Sequence, residues 1–212
     1  MGLPTPEEWF REFVGDFVRS VDLAESEVGV LYANREQIHF DDAYYTNREW
    51  TEVMSRFLAR LARRMGYVQL SERDHLDFVW YLGDGAKRRV AIEHENQRGG
   101  IAKSEIPKLA NSRAALRILI TYTNADGTGR VAENTCLKAE GRLRRYWKRN
   151  TEGRFLLVIG RGWLDDPKAW LGLEWNPRTA ALEYLSNEPR EKTCNRCGES
   201  FWAWYPRDPH CS

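Results

Sequence analysis

Three carboxylates between residues 77 and 95 have the type and spacing of a site for a hard divalent cation. Glu93 and Glu95 are two residues apart in the run K-R-R-V-A-I-E-H-E-N, which covers residues 87–96. In a strand, side chains two residues apart project to the same face. Asp77 lies in the preceding apolar run, and a hairpin would bring it beside the two glutamates. Because Mg²⁺ or Mn²⁺ binds carboxylate oxygens together with water, we predict a cation site made by Asp77, Glu93 and Glu95.

Such a site would act on phosphate esters. Neighbouring carboxylates raise one another's pKa until a cation neutralises them, so the three acids would favour cation binding. One or two carboxylate-bound Mg²⁺ ions can activate water, neutralise the transition state of phosphodiester hydrolysis and stabilise the leaving alkoxide. His94 lies between the glutamates but continues the face of Val90 and Ile92, so we interpret it as a core histidine rather than a ligand.

The acids are carried by an alternation of helices and strands that is typical of an α/β domain. A capping box, T-N-R-E from Thr46, begins a helix whose apolar residues recur at helical spacing until Gly66. Three strands, a helix, a strand, a helix and a strand follow, at residues 67–70, 76–82, 87–96, from 104, 116–122, 132–147 and 155–160. We therefore predict an α/β fold with a mixed central sheet flanked by helices.

The rest of the chain divides into an N-terminal segment, a hairpin and a tail. T-P-E-E from Thr5 is a capping box with proline at the first helical position, so a helix begins there. Its broad apolar stripe would pack onto the chain's own domain or form a homodimer interface, and contains Trp9, Phe10, Phe13, Val14, Phe17, Val18 and Val21. We assign residues 1–45 to this segment, 46–186 to the central domain with a hairpin about Asn176, and 187–212 to the tail.

Composition describes a globular protein without a strong charge bias. The 212 residues suffice for one sizeable core, and 42% hydrophobic residues exclude a disordered chain. A net charge of +1 gives no general attraction to nucleic acid, so phosphate binding would need a local basic patch. The sequence contains one such basic patch, which comprises Lys138, Arg142, Arg144, Arg145, Lys148, Arg149 and Arg154. The alternative interpretation of these residues is a solvated helix face. The sequence shows no secretory leader and no apolar run of roughly 18 residues, so we predict a cytoplasmic protein that does not enter a membrane.

The tail has the cysteine spacing of a zinc site. Cys194 and Cys197 form a C-x-x-C-G knuckle, which resembles the knuckles of zinc ribbons and rubredoxin-like sites. Cys211 is the third candidate ligand for Zn²⁺, and His210 is a further one, although two adjacent residues coordinate one ion awkwardly. A small Cys-rich, zinc-binding tail is therefore predicted. Reduced thiols without metal are the alternative.

The region from Thr46 to Gly160 resembles the PD-(D/E)xK nuclease superfamily, the restriction-endonuclease-like fold. The resemblance rests on the order of elements and on Asp77 followed by Glu93-His94-Glu95. In that family the first acid lies on the second core strand and the (D/E)-x-K signature on the third. Asp77 then matches the first acid, Glu93 the second, and Glu95 the lysine position. This is the E-x-E variant, in which Glu95 would be a base or a further metal ligand. Lys87 or Lys103 could then supply the positive charge of the missing lysine.

The resemblance implies a Mg²⁺-dependent endonuclease that hydrolyses phosphodiester bonds, and it favours DNA over RNA as the substrate. The main alternative is a disabled nuclease fold that binds nucleic acid or protein without cleaving it, because fold and function are separate claims. A third interpretation is a different metal-dependent phosphoesterase that acts on nucleotides.

Overall fold

A computed structural model describes the chain at residues 2–23, 26, 28–29, 47–73, 75–82, 88–95, 104–123, 130–147, 152–161, 169–185, 190–193 and 200–203. The helices are α1 (Pro6–Asp22), α2 (Asn47–Arg64), α3 (Glu105–Asn111) and α4 (Arg130–Tyr146). The strands are β1 (Tyr67–Arg73), β2 (Leu76–Leu82), β3 (Arg88–Glu95), β4 (Leu116–Thr123), β5 (Arg154–Arg161), β6 (Trp170–Asn176), β7 (Ala181–Tyr184), β8 (Arg190–Thr193) and β9 (Ser200–Ala203).

Seven of the strands form one mixed sheet in the order β1 to β7. Strand β3 is parallel to β4, and β4 is parallel to β5. Every other neighbouring pair in this sheet is antiparallel. Each parallel step contains a helix, α3 or α4, because a chain must cross over before it can pair in parallel. The predicted α/β fold, its mixed sheet and the predicted order of elements are confirmed.

The two faces of the sheet bury separate hydrophobic cores. Phe78, Trp80 and Ile92 pack with residues of α1 and α2 on one face. Val79 and Ala91 pack with residues of α3 and α4 on the other. This division follows from the alternation of side chains along a strand, and both faces are apolar because helices cover both. A polar side chain at the centre of either face is therefore buried and needs a partner.

Helix α1 packs within the chain. Its capping box is present, because the Glu8 amide donates to Thr5 Oγ1 at 3.1 Å and the Thr5 amide donates to Glu8 Oε2 at 2.8 Å. Phe13 is fully buried, with its ring centroid 5.6 Å from that of Phe57 and 5.0 Å from that of Trp170. Of the two alternatives for the apolar stripe, packing on its own domain is the observed one. The homodimer stays a prediction.

The C-terminal part contains two hairpins. Strands β6 and β7 form the predicted one, and β7 begins at Ala181, after Ala180 with its positive φ of 53°. Strands β8 and β9 pair from Arg190↔Ala203 to Thr193↔Ser200. Cys194, Cys197, His210 and Cys211 lie outside the described residues, so the zinc site stays a prediction. In the described residues, no helix combines the length and hydropathy of a membrane span.

A candidate acidic site at the end of the third strand

Asp77 and Glu93 are neighbours on two antiparallel strands. The pairs Phe78↔Ile92 and Val79↔Ala91 fix the register of β2 and β3, and continuing it by one residue places Asp77 opposite Glu93. Directly opposed side chains lie on one face of a sheet, about 4.5 to 5.5 Å apart at Cβ. This is the face covered by α3 and α4. The sequence prediction that a hairpin brings these two acids together therefore matches the structure.

Glu93 is a buried carboxylate with incomplete hydrogen bonding. Its side chain is 1% exposed, and its Oε1 atom has no hydrogen-bond partner in the described part of the chain. Burial raises the pKa of Glu93 to about 8, and the charge of Asp77 adds to this effect. A buried carboxylate with one oxygen unpartnered retains a proton or binds a cation.

Asp77 is partly buried and is held by the backbone of the adjacent strand. Its Oδ2 atom accepts a hydrogen bond from the His94 amide at 2.8 Å. Burial raises the pKa of Asp77, while that amide and the positive charge of Lys108 act to lower it. Two carboxyl groups this close share protons, because both cannot carry a full negative charge at low cost.

Lys108 on α3 supplies the positive charge of the site, and the sequence analysis did not identify it. Its Nζ atom lies 3.3 Å from Glu93 Oε2 and 3.7 Å from Glu105 Oε1. Burial acts to lower the pKa of Lys108, but the charges of Glu93, Glu105 and Asp77 outweigh it and raise the pKa. The ammonium group is therefore protonated. The lysines considered from the sequence, Lys87 and Lys103, lie outside the described residues.

Glu105, also missed from the sequence, begins α3 beside the pair. The residue is 7% exposed. Its Oε1 atom accepts a hydrogen bond from Ser104 Oγ at 2.8 Å, while its Oε2 atom is buried without a partner in the described part of the chain. A sequence signal existed for both missed residues. Glu105 and Lys108 are an acid and a base at i, i+3, interleaved with the inward Ile106 and Leu109, so they share a helix face.

The position of α3 over the sheet is fixed by a buried arginine. Arg117 on β4 is 4% exposed, and burial lowers its pKa to about 10. Its Nη2 donates to the Ser112 carbonyl oxygen at 2.6 Å and its Nε to Ser112 Oγ at 3.1 Å, so the guanidinium binds the end of α3. The guanidinium carbon also lies 4.8 Å from the ring centroid of Trp147. These contacts anchor the helix that carries Lys108.

Glu95 is the last residue of β3 and pairs with Thr121 of β4. By strand alternation it lies on the same face as Glu93, two residues nearer the C-terminal end of β3, and it is only partly buried. The contacts of the described residues thus join Asp77, Glu93, Glu105 and Lys108. Glu95 lies at the rim of this group, and its role as ligand or base stays a prediction.

His94 belongs to the opposite face of the sheet. It is 7% exposed, and its Nε2 atom lies 2.8 Å from the Tyr122 hydroxyl. Burial lowers the pKa of His94 to about 3, so the ring is neutral. Its Nδ1 atom is buried without a hydrogen-bond partner among the described residues. The prediction of a core histidine agrees with this placement.

The predicted basic patch is partly neutralised. Arg154 forms two hydrogen bonds to Glu174, at 2.6 and 2.7 Å. Arg144 pairs with Glu140 at 3.3 Å. Lys148 and Arg149 lie outside the described residues. For the described arginines of the patch, these ion pairs favour a solvated helix face over a phosphate-binding surface.

In the described residues, no group of three or more His, Cys, Asp and Glu side chains has an arrangement that could hold a metal ion. The ammonium group of Lys108 contacts two of the acids instead. Protein-family models, curated proteins and solved structures give no match to the chain. The chemistry of the site itself is therefore the basis for its function.

Proposed function

We propose that the chain is a divalent-cation-dependent endonuclease that hydrolyses phosphodiester bonds, with DNA as its substrate. Asp77 and Glu93 would hold Mg²⁺ or Mn²⁺. The proposal depends on one observation above all: a glutamate that is 1% exposed faces a second acid and leaves its Oε1 atom without a hydrogen-bond partner among the described residues. A fold that contained this arrangement only for stability would pay for it in desolvation.

The donor atoms fit a hard cation. The oxygen atoms of Asp77 and Glu93 are carboxylate donors, the type that Mg²⁺ and Mn²⁺ prefer. One of them, Glu93 Oε1, is buried without a partner in the described part of the chain. When bound, the cation would supply a Lewis acid and lower the pKa of a coordinated water.

The residues of the chain have separate roles in this proposal. The His94 amide orients the Asp77 carboxylate, so a donor oxygen is positioned before any ligand arrives. Lys108, with its side chain 35% exposed, can reach a phosphate oxygen from α3 and neutralise charge that develops there. Glu95 at the rim would accept a proton as a base.

The order of elements also supports the restriction-endonuclease-like fold. A helix precedes three strands, and a helix and a strand follow, as the resemblance implies. Asp77 is on the second strand of the domain and Glu93 on the third, which are the positions of the two family acids. Lys108 offers a physical answer to the missing lysine at position 95, because it brings an ammonium group to Glu93 from the next helix.

One observation favours the alternative, a binding module without catalysis. Lys108 contacts both Glu93 and Glu105, so the acids already have a cation. If that ion pair persisted in the presence of Mg²⁺, the site would be inert. The fold would then bind nucleic acid or protein through other surfaces.

Nicking of supercoiled plasmid in the presence of Mg²⁺ or Mn²⁺ separates the two functions. We expect the wild-type chain to nick, EDTA to stop nicking, and Asp77→Asn and Glu93→Gln to abolish it. Glu152→Gln is the matched control. Glu152 is exposed and lies just before β5, at the end of the parallel strands opposite to the end that carries Glu93. Equal nicking by wild type and Asp77→Asn would disprove the site. Hydrolysis of small nucleotides without polymer cleavage would favour the third interpretation.

A further inference from the structure

Arg117 of β4 is a buried cation whose hydrogen bonds go to neutral oxygen atoms. Among the described residues, its donors bind the Ser112 carbonyl oxygen, Ser112 Oγ and the Glu152 carbonyl oxygen. A buried guanidinium that lacks a carboxylate partner is costly, because neutral oxygens replace only part of its lost hydration. An apolar side chain would fill the same space without that cost. The contacts that the guanidinium makes are therefore the feature to explain.

These contacts join three separate segments of the chain. Ser112 directly follows α3, Trp147 directly follows α4, and Glu152 lies just before β5. The guanidinium carbon of Arg117 lies 4.8 Å from the ring centroid of Trp147. Gly153 has a positive φ of 94°, and a Cβ atom there would lie 2.7 Å from Arg117 Nη1. A glycine at this position thus lets the guanidinium reach the neighbouring carbonyl oxygen.

Two consecutive hydrogen bonds connect Arg117 with the backbone of Lys108. Arg117 Nη2 donates to the Ser112 carbonyl oxygen at 2.6 Å, and the Ser112 amide donates to the Lys108 carbonyl oxygen at 3.0 Å. Ser112 Oγ, which accepts from Arg117 Nε, donates in turn to the Leu109 carbonyl oxygen at 2.8 Å. Arg117 thus holds the last turn of α3, the turn from which Lys108 reaches Glu93.

Helix α3 depends on contacts of this kind for its position. It contains seven residues, and a helix of this length is not stable without tertiary contacts. The distance of 3.3 Å from Lys108 Nζ to Glu93 Oε2 is near the upper limit of a hydrogen bond. A small movement of the helix would therefore break the contact between the ammonium and the acid.

We propose that Arg117 is a positioning residue for the acidic site: by holding the end of α3, it keeps the Lys108 ammonium in contact with Glu93. The inference deepens the proposed function, and rests on it for the catalytic roles of Lys108 and Glu93. An arginine with a purely structural role would stabilise the fold without setting this contact. The two roles predict different results for Lys108.

The test measures the reactivity of the Lys108 amine in the full-length chain, in EDTA and without nucleic acid. Acylation by the N-hydroxysuccinimide ester of acetic acid is followed by peptide mass spectrometry, with the exposed Lys138 of α4 as the internal reference. Only a free amine acylates, so the two acids that contact the ammonium slow the reaction. We expect Arg117→Met to accelerate acylation of Lys108 by about threefold to tenfold, since one pKa unit changes the free-amine fraction tenfold. Arg117→Lys should restore part of the protection.

Three further variants separate the path from charge and from stability. Ser112→Ala leaves the charge of Arg117 in place but removes one of its acceptors, so it should accelerate acylation less than Arg117→Met does. In a Glu93→Gln background, Arg117→Met should add little, because the contact is already lost. Leu182→Ala weakens the same hydrophobic core at β7, four strands from β3, and should leave Lys108 unchanged.

An unchanged acylation rate of Lys108 in a folded Arg117→Met chain would overturn the proposal and leave Arg117 a structural residue. Equal acceleration in Leu182→Ala would also overturn it, because the effect would then follow from lost stability alone. Thermal melting checks that each variant folds. Should Arg117→Met not fold, Ser112→Ala decides, and an unchanged rate in that variant has the same consequence.

The positioning role and the proposed function fail differently. If Arg117→Met exposes Lys108 to acylation but no condition gives nicking, the positioning role stands and the nuclease function does not. If wild type nicks plasmid while Lys108 reacts alike in wild type and Arg117→Met, the nuclease function stands and Arg117 does not position the site.

Discussion

The Nζ atom of Lys108 lies 3.3 Å from Glu93 Oε2, across fifteen residues of sequence. Helix α3 thus brings an ammonium group to the strand residue that the sequence predicts to be a metal ligand. The strand itself carries an acid, Glu95, at the position where the resembled family has lysine. Under the proposed function, Lys108 on α3 would supply the positive charge that the resembled family places on the strand.

The first prediction concerns this lysine. Lys108→Met should lower the nicking rate by about 10²-fold, because it removes a positive charge directed at the developing phosphate charge. Lys108→Arg should retain part of the activity, since it keeps the positive charge but places it on a planar guanidinium instead of a compact ammonium. Single-turnover nicking at saturating Mg²⁺ measures both. A Lys108→Met chain as active as wild type would show that Lys108 has no part in the reaction.

Stability should depend on pH through Glu93. Burial raises its pKa from 4.5 to about 8 in the folded chain, so the folded state keeps a proton that the unfolded state has lost. The contribution of Glu93 to the free energy of unfolding is therefore highest below pH 4.5 and falls as pH rises to about 8, by at most about 1.4 kcal/mol per pH unit.

Urea unfolding of wild type and Glu93→Gln, both in EDTA, tests this sign. The amide does not titrate, so the difference in stability should increasingly favour Glu93→Gln between pH 5 and 8. A difference that stays constant over this range would show that Glu93 is ionised with an ordinary pKa.

A third prediction concerns the packing of α1. A Cβ atom at Gly172 of β6 would lie 2.7 Å from Cδ1 of Phe10, a fully buried ring. Gly172→Ala should therefore lower the free energy of unfolding by about 1 to 3 kcal/mol. Gly141→Ala is the control, because a Cβ there meets nothing within 4 Å, and on a helix it should stabilise by about 0.5 to 1 kcal/mol. Urea unfolding of both variants measures the contrast, and an unchanged Gly172→Ala would mean that α1 does not pack as described.

The tail gives the fourth prediction. Purified protein should contain zinc, and Cys194→Ser and Cys197→Ser should each lose it, because thiolates of a C-x-x-C knuckle are the typical ligands. Elemental analysis after dialysis measures the content, with Cys136→Ser as the control from α4. Zinc retained by both knuckle variants would assign the metal elsewhere.

Much of the fold follows from local patterns. The alternation of apolar residues was sufficient to order the elements from α2 to β5, since each has a long, regular pattern. The pairing of Asp77 with Glu93 was also accessible, because strand alternation and the antiparallel pairing of a hairpin leave these two acids little choice of face. Capping identified the start of α1 at Thr5, where two reciprocal hydrogen bonds form.

The i, i+3 spacing of Glu105 and Lys108 indicates a shared helix face, but it does not show that this face meets Glu93. Glu105 and Lys108 belong to a helix of seven residues, too short for periodicity to reveal which polar side chains turn inward. Their contact with Glu93 depends on how α3 crosses the sheet, which is a tertiary property. Strand β1 was predicted to end at residue 70 but continues to Arg73, because pairing with β2 extends it past its apolar part.

The hydrogen bond from the His94 amide to Asp77 has a mechanical consequence. The imidazole of His94 contacts Tyr122 on the face of the sheet that α1 and α2 cover. The backbone amide of His94 donates to the Asp77 carboxylate on the opposite face. A substitution in the aromatic layer that shifts this ring is therefore expected to move the His94 peptide group and reorient Asp77, although Asp77 lies on the other face of the sheet. Sensitivity of the acid pair to substitutions deep in the opposite layer is thus built into a single residue.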